Sequence, residues 1–199
     1  MTTHISVSSA AGWLALATGI AGISASILII LFYAVGGSFG TLNDIFNGVV
    51  GMLSVILAWM LFSKFRLNFT FIHRFTLILA VIGAIIVGIG SILILFDFTG
   101  WVLAGWYTTA GFALIGIWLL DFSNSTQQNN MLSRNLSTFG LIVGSIMAIG
   151  IFVIPGIMMG IDAIESTPWY VSLGLLGFIG TYFLYPIWTL WLGRTLLSR

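Results

Sequence analysis

The sequence has no cysteine, one lysine and only two histidines. Without cysteine there are no disulfides, thiolate metal sites or Cys nucleophiles. His4 and His73 stand in neither a Glu-x-x-His nor a His-x-x-x-His spacing, so a metal enzyme lacks its ligand set. Lys64 ends an apolar run, which leaves no buried lysine for a Schiff base. No glycine-rich phosphate loop follows a strand pattern, and no serine, histidine and acid are expected to meet on one membrane face. Charge is scarcer still. Charged residues make up 6% of the chain and apolar ones 59%, against about 25% charged in a soluble domain. Such a chain cannot cover a surface in water, so lipid must be its solvent. A net charge of +1 excludes a nucleic-acid partner, and no cofactor is expected.

What the chain does have is apolar length. Runs of spanning size cover residues 13–35, 45–62, 75–96, 101–120, 136–159 and 169–192, each close to the roughly 20 residues that cross the hydrocarbon core. Backbone groups in lipid must be satisfied within the segment, and no alternating strand pattern is present, so the expected fold is an all-α polytopic bundle of six transmembrane helices. The start, "MTTHISVSSAAGW", lacks the basic region of a signal peptide, and the run after it reads as a retained first helix.

The few charges are sorted by side. Lys64, Arg66 and Arg74, then Arg134, then Arg194 and Arg199 fall on one side, while Asp44, Asp97, Asp162 and Glu165 fall on the other. Asp121 alone joins the bases. The positive-inside rule then places both termini in the cytoplasm. Trp101, Trp169 and Tyr170 are expected at the outer interface, and Trp13, Trp59, Trp118, Trp188 and Trp191 at the inner one. "DFSNSTQQNNMLSRN" reads as a polar loop. A short echo, "FDFTGW" and "IESTPW", precedes the fourth and sixth spans and fits three like-oriented hairpins better than an inverted repeat.

Few polar groups could carry chemistry. In "FGTLNDIFNG", Thr41 and Asp44 have the spacing of a capping box. The alternative is a binding pocket: Asn43, Asp44 and Asn47 would line the outer half of the second span, with Gly48 and Gly51 admitting a close neighbour. In "GWYTTAG", the hydroxyls of Thr108 and Thr109 would bond back to their own helix and Tyr107 would reach the interface, or Tyr107 and Thr108 would complete that pocket. Near the end, Pro186 should free the carbonyl of Tyr182 and kink the sixth span, and Pro155 should kink the fifth or end its helix early. Tyr182 and Tyr185 are the polar groups of the inner halves. Trp188, Trp191 and Arg194 recur every three residues as an inner stripe that would anchor the helix, contact a lipid headgroup or dock a partner. His73, beside Arg74, reads as an interfacial anchor, with haem or chlorophyll ligation as the alternative. Gly140 and Gly144 form one G-x-x-x-G, serving packing within the chain or a homo-oligomer or larger complex.

The segments "FGTLND", "GFALIGIWLL" and "LYPIWTLWLGRTLL" together resemble a group of small six-helix bacterial integral membrane proteins. The resemblance runs over most of the chain. It implies a cytoplasmic (inner) membrane location and brings no activity and no site residues. The expected function is a non-enzymatic membrane module, either a small accessory subunit or a binder of lipid or another apolar ligand. A small-solute transporter or channel gated at Asp44, Asn47 and Tyr107 is the alternative, and a lipid-modifying enzyme the third reading.

Overall fold

Long apolar runs with no internal acid or base have one way to satisfy their backbone out of water, and the chain takes it throughout. A computed structural model describes residues 7–65 and 71–198; His4, Arg66, Asn68 and Arg199 lie outside the described residues. Four helices are continuous over a whole span: α1 (Val7–Val35), α2 (Phe39–Phe65), α3 (Phe71–Leu95) and α4 (Trp101–Gln128). The fifth span comprises α5 (Arg134–Ile149), a 3₁₀ turn (Gly150–Val153) and α6 (Ile154–Met158). The sixth is more broken: α7 (Trp169–Ser172), a 3₁₀ turn (Leu173–Leu175), α8 (Leu176–Ile179), a π turn (Gly180–Leu184) and α9 (Tyr185–Leu197). Six helices are thus long and apolar enough to cross a membrane, and no strand occurs among the described residues.

Each span packs on its chain neighbours, and α1 packs on α9 to close the ring. The fourth span is the most enclosed: 67% of its apolar window is buried, against 33–50% in the others, which makes α4 the axis of the bundle. Around it Trp118 stacks on Phe122, Phe122 meets Trp188 edge-on, and Trp188 stacks on Tyr185. The Tyr185 hydroxyl donates to Ser54 Oγ at 2.9 Å. This plug fills the half of the bundle nearer the termini, called here the basic end. The opposite end, with the connections carrying Asp97, Asp162 and Glu165, is the acidic end.

Trp118 and Trp188 are therefore core residues, 2% and 0% exposed, and not interfacial anchors. The inner stripe is corrected accordingly. A step of three residues turns a helix by about 300° and drifts by about 60° each time. Trp188 thus faces α4, while Trp191 and Arg194 reach the surface.

The first four helices all extend beyond the expected spans, and at α2 and α4 the extension changes a reading. Gly36 and Gly37, both with positive φ, make the turn after α1, and α2 begins at Phe39, with Leu42 N donating to Ser38 O at 3.1 Å. Thr41 is an exposed residue inside that helix, so the capping box does not form. The expected polar loop after residue 120 is mostly helix as well. α4 continues to Gln128 because Ser123, Ser125 and Thr126 are buried there; Thr126 bonds back to Phe122 O, and Gln127 donates to Thr138 on α5. It ends where Asn130 adopts a left-handed conformation (φ 51°), which asparagine tolerates.

Both proline breaks form, and they face each other. A Cβ on Gly177 would lie 2.8 Å from Gly150 Cα. Pro186 cannot donate to the carbonyl of Tyr182, and Ser26 Oγ of α1 donates to it instead. The G-x-x-x-G glycines are used inside the chain: a Cβ on Gly144 would sit 2.8 Å from Gly116 O, and one on Gly140 would strike Ser123 and Trp188.

Candidate functional site

The acidic end of the bundle is hollow where the basic end is plugged. A cavity of about 370 Å³ lies between α2, α4 and the broken sixth span. The sixth span passes from 3₁₀ through α to π geometry between Leu173 and Leu184, and this stretch borders the cavity. Ser172, Leu175, Phe178, Ile179 and Tyr182 of that span form one wall.

Asn43, Asp44 and Asn47 form the opposite wall. They lie in the first three turns of α2, spaced so that all three turn inward, and they are 1%, 7% and 3% exposed. Asn43 donates through Nδ2 to Ala25 O of α1 at 2.8 Å. Asn47 Nδ2 donates to Asn43 Oδ1 at 3.0 Å and to the Tyr182 hydroxyl at 2.7 Å. Tyr182 in turn donates to Asn43 Oδ1 at 3.3 Å. Three spans are thus joined by one buried polar network, in which each amide nitrogen has a partner.

Asp44 stands apart from that network. Its backbone carbonyl accepts from Ser91 Oγ of α3 at 2.7 Å, yet its carboxylate oxygen Oδ2 is buried with no hydrogen-bond partner among the described residues. Leaving a carboxylate unpaired away from water is expensive. The residue is neither a cap nor part of an ion pair.

The remaining walls come from α4 and the acidic-end connections. Trp101, Gly105, Trp106, Thr108 and Thr109 face the cavity from α4, and Tyr33 closes it from the end of α1. The rim is held by Asp162, whose carboxylate accepts from the backbone N–H groups of Gly100 (2.6 Å) and Leu103 (3.0 Å). Asp162 thus caps the start of α4 from a different connection, as the positive end of a helix dipole favours. Trp106 Nε1 donates to Ile161 O at 3.1 Å and ties the same loop down.

Of the residues singled out from sequence, Asn43, Asp44, Asn47 and Thr108 meet on this cavity. Tyr107 does not. It lies next to Thr108 on α4, about 100° round the helix, and is half-buried away from the cavity lining. The phenol beside Asn47 is Tyr182, expected nearer the basic end. A count from Trp169 puts it midway along the sixth span, within reach of Asn47 in the third turn of α2. That count was the available signal, together with the carbonyl that Pro186 leaves free at the same residue.

A second polar cluster sits at the basic end. His73 Nδ1 lies 2.7 Å from Asp121 Oδ2, which also accepts from Thr76 Oγ1 at 2.7 Å, and Ser125 Oγ is 3.4 Å from His73 Nε2. Contrary to the sequence expectation, a serine, a histidine and an acid do meet on one face of the membrane domain. Asp121, the acid on the side of the bases, bridges α4 to the start of α3. Ser125 is 6% exposed and lines neither this cavity nor the smaller one beside Arg134, so the cluster is a staple between helices. Among the described residues, no group of three or more His, Cys, Asp or Glu side chains could hold a metal ion.

No family model, curated protein or solved structure matches the chain.

Proposed function

We propose that this is a non-enzymatic membrane protein that binds a small, largely apolar ligand in the acidic-end cavity. One observation carries the reading: a cavity of ligand size whose mainly aromatic and aliphatic walls enclose a few convergent polar groups. In the threading that the positive-inside rule favours, the termini are cytoplasmic and the cavity faces out of the cell. The resemblance in sequence supports a bacterial cytoplasmic membrane as its location. Trp191 and Arg194, exposed at the basic end, are proposed to meet lipid headgroups.

Gly105 provides the test. It lines the cavity, and a Cβ there would meet nothing within 4 Å. Gly105→Leu should therefore fill the space without disturbing the helix packing. Benzyl alcohol and n-hexanol should raise the melting temperature of the wild type in detergent and have no such effect on Gly105→Leu. Equal shifts in the two proteins would place the binding elsewhere.

Transport of the same ligand is a second reading, favoured by the breaks in the sixth span beside the cavity. Beneath the cavity the way is closed by Tyr185, Trp188 and Phe122, all at most 1% exposed. Movement of the last span would have to open it.

A further inference from the structure

We infer that the ligand of this cavity is an organic cation, an alkyl- or arylammonium compound whose charge is held by Asp44. The inference rests on the cavity being a ligand site and adds the ligand's chemistry.

Hydrogen-bond capacity is the first support. Asn47 uses Nδ2 on Asn43 and Tyr182, Asn43 uses Nδ2 on Ala25 O, and the Tyr182 hydroxyl donates to Asn43. Thr109 donates to Gly105 O and Ser172 to Pro168 O within their own segments. These donors of the lining are engaged with the protein, Tyr33, Trp101 and Thr108 add neutral donors, and Asp44 is the one acidic side chain of the lining, with Oδ2 buried and without a hydrogen-bond partner among the described residues. The neutral donors can be met by any polar group or by water, whereas the one acidic side chain of the lining is matched by a ligand that brings positive charge.

Charge and shape point the same way. No Lys, Arg or His lines the cavity, so no positive charge there would offset an anion or the carboxylate of a zwitterion. Tyr33 and Trp101 meet at 88° with ring centroids 5.7 Å apart and form an aromatic corner at one end. Phe178 and Tyr182, which also line the cavity, stack at 4.2 Å. Ring faces attract a cation at exposed as well as desolvated sites. A bare alkali or divalent ion would leave most of the 370 Å³ empty and would want several oxygen ligands around it. An ammonium with an apolar body satisfies both the carboxylate and the walls.

The test compares two probes of one shape on the full-length protein in detergent: benzyltrimethylammonium and its neutral carbon isostere, neopentylbenzene. Binding is followed by quenching of tryptophan emission and by calorimetry. The wild type should bind the ammonium at least about tenfold more tightly than the hydrocarbon. Asp44→Asn, close to isosteric, should lose that tenfold or more for the ammonium and hold the hydrocarbon within about twofold. Tyr33→Leu changes a side chain that is 66% exposed and outside the core, and it covers the case in which Asp44→Asn does not fold. It should weaken the ammonium by about threefold and leave the hydrocarbon unchanged. If the wild type binds both probes alike, or if the ammonium binds Asp44→Asn or Tyr33→Leu as tightly as the wild type, the cation assignment is overturned and the cavity reading stands. If neither probe binds the wild type, both fall together.

Discussion

Asn47 and Tyr182 are 135 positions apart in the chain and share a 2.7 Å hydrogen bond in the middle of the bundle. A bond buried at that depth has no water to replace it, so removing one partner strands the other. Tyr182→Phe and Asn47→Ala should each destabilise the protein by about 1–3 kcal/mol. The double variant should cost less than the sum, with a coupling of about 0.5–3 kcal/mol measured by thermal or denaturant unfolding in detergent. Strict additivity would mean that the bond is not made. The staple at the other end works by the same rule. Asp121→Ala removes the partner of His73 Nδ1, leaves Thr76 only the His73 carbonyl at 3.3 Å, and should cost about 1–3 kcal/mol, while Asp121→Asn keeps an acceptor oxygen and should cost less. The sequence made the polar side of each arrangement visible, because an Asn, an Asp or a His in an apolar run has few innocent explanations. Which partner it meets was hidden, since pairing between spans depends on depth, and a residue's depth is known only once the helix start is. Of the two readings of Asp44, the cap fails for this reason: α2 begins at Phe39, five residues before it.

At the scale of the element, the breaks in the fifth and sixth spans are legible from Pro155 and Pro186, and their geometry is not. Proline dictates a missing donor, and whatever lies opposite decides how the gap is met. Opposite Tyr182 O lies Ser26, and the two changes are therefore linked. Ser26→Ala should cost about 1–3 kcal/mol in the wild type and distinctly less in Pro186→Ala, where the backbone N–H at position 186 can serve the carbonyl. An equal cost in both backgrounds would show that Ser26 acts by packing alone. Glycine has a comparable role on α5. A Cβ at Gly140 would lie 2.7 Å from Trp188 Nε1 and would also strike Ser123. Both of those polar atoms are buried without partners, so neither has a bond that could guide its retreat. Gly140→Ala should destabilise by about 1–3 kcal/mol, the usual cost of overpacking, whereas Gly88→Ala, with open space around it, should be nearly silent. The end of α4 was hidden for a different reason. Ser123, Ser125 and Thr126 read as loop formers by composition, and their burial between α3 and α5 holds them in the helix here.

The whole molecule repeats, at larger scale, the asymmetry of its charges. Bases gather where the aromatic plug is, acids where the cavity is, and α4 passes from one to the other as the axis of the ring. Span number and approximate span positions were readable because hydrophobic length is a property of the chain alone. Ring closure by α1 and α9 was not, because it rests on the approach of Gly12 to Gly193, which no pattern of one helix announces. The charge asymmetry also makes a claim about threading that is independent of every packing contact. With short connections, basic residues are retained on the cytoplasmic side, so the plugged end should face the cytoplasm and the cavity the outside. A reporter fused after Arg199 should be active only if it works in the cytoplasm, and one inserted near Ala163 only if it works outside. Asn68, Asn124 and Asn135 begin three Asn-x-Ser/Thr sequons, all on the basic side. Asn124 and Asn135 are exposed, so a glycosylating host could modify them if they ever reached the lumen. All three should remain bare in such a host, with no mass shift on glycosidase treatment. A glycan at any one of them would invert the threading, turn the cavity towards the cytoplasm, and require an organic cation from inside the cell.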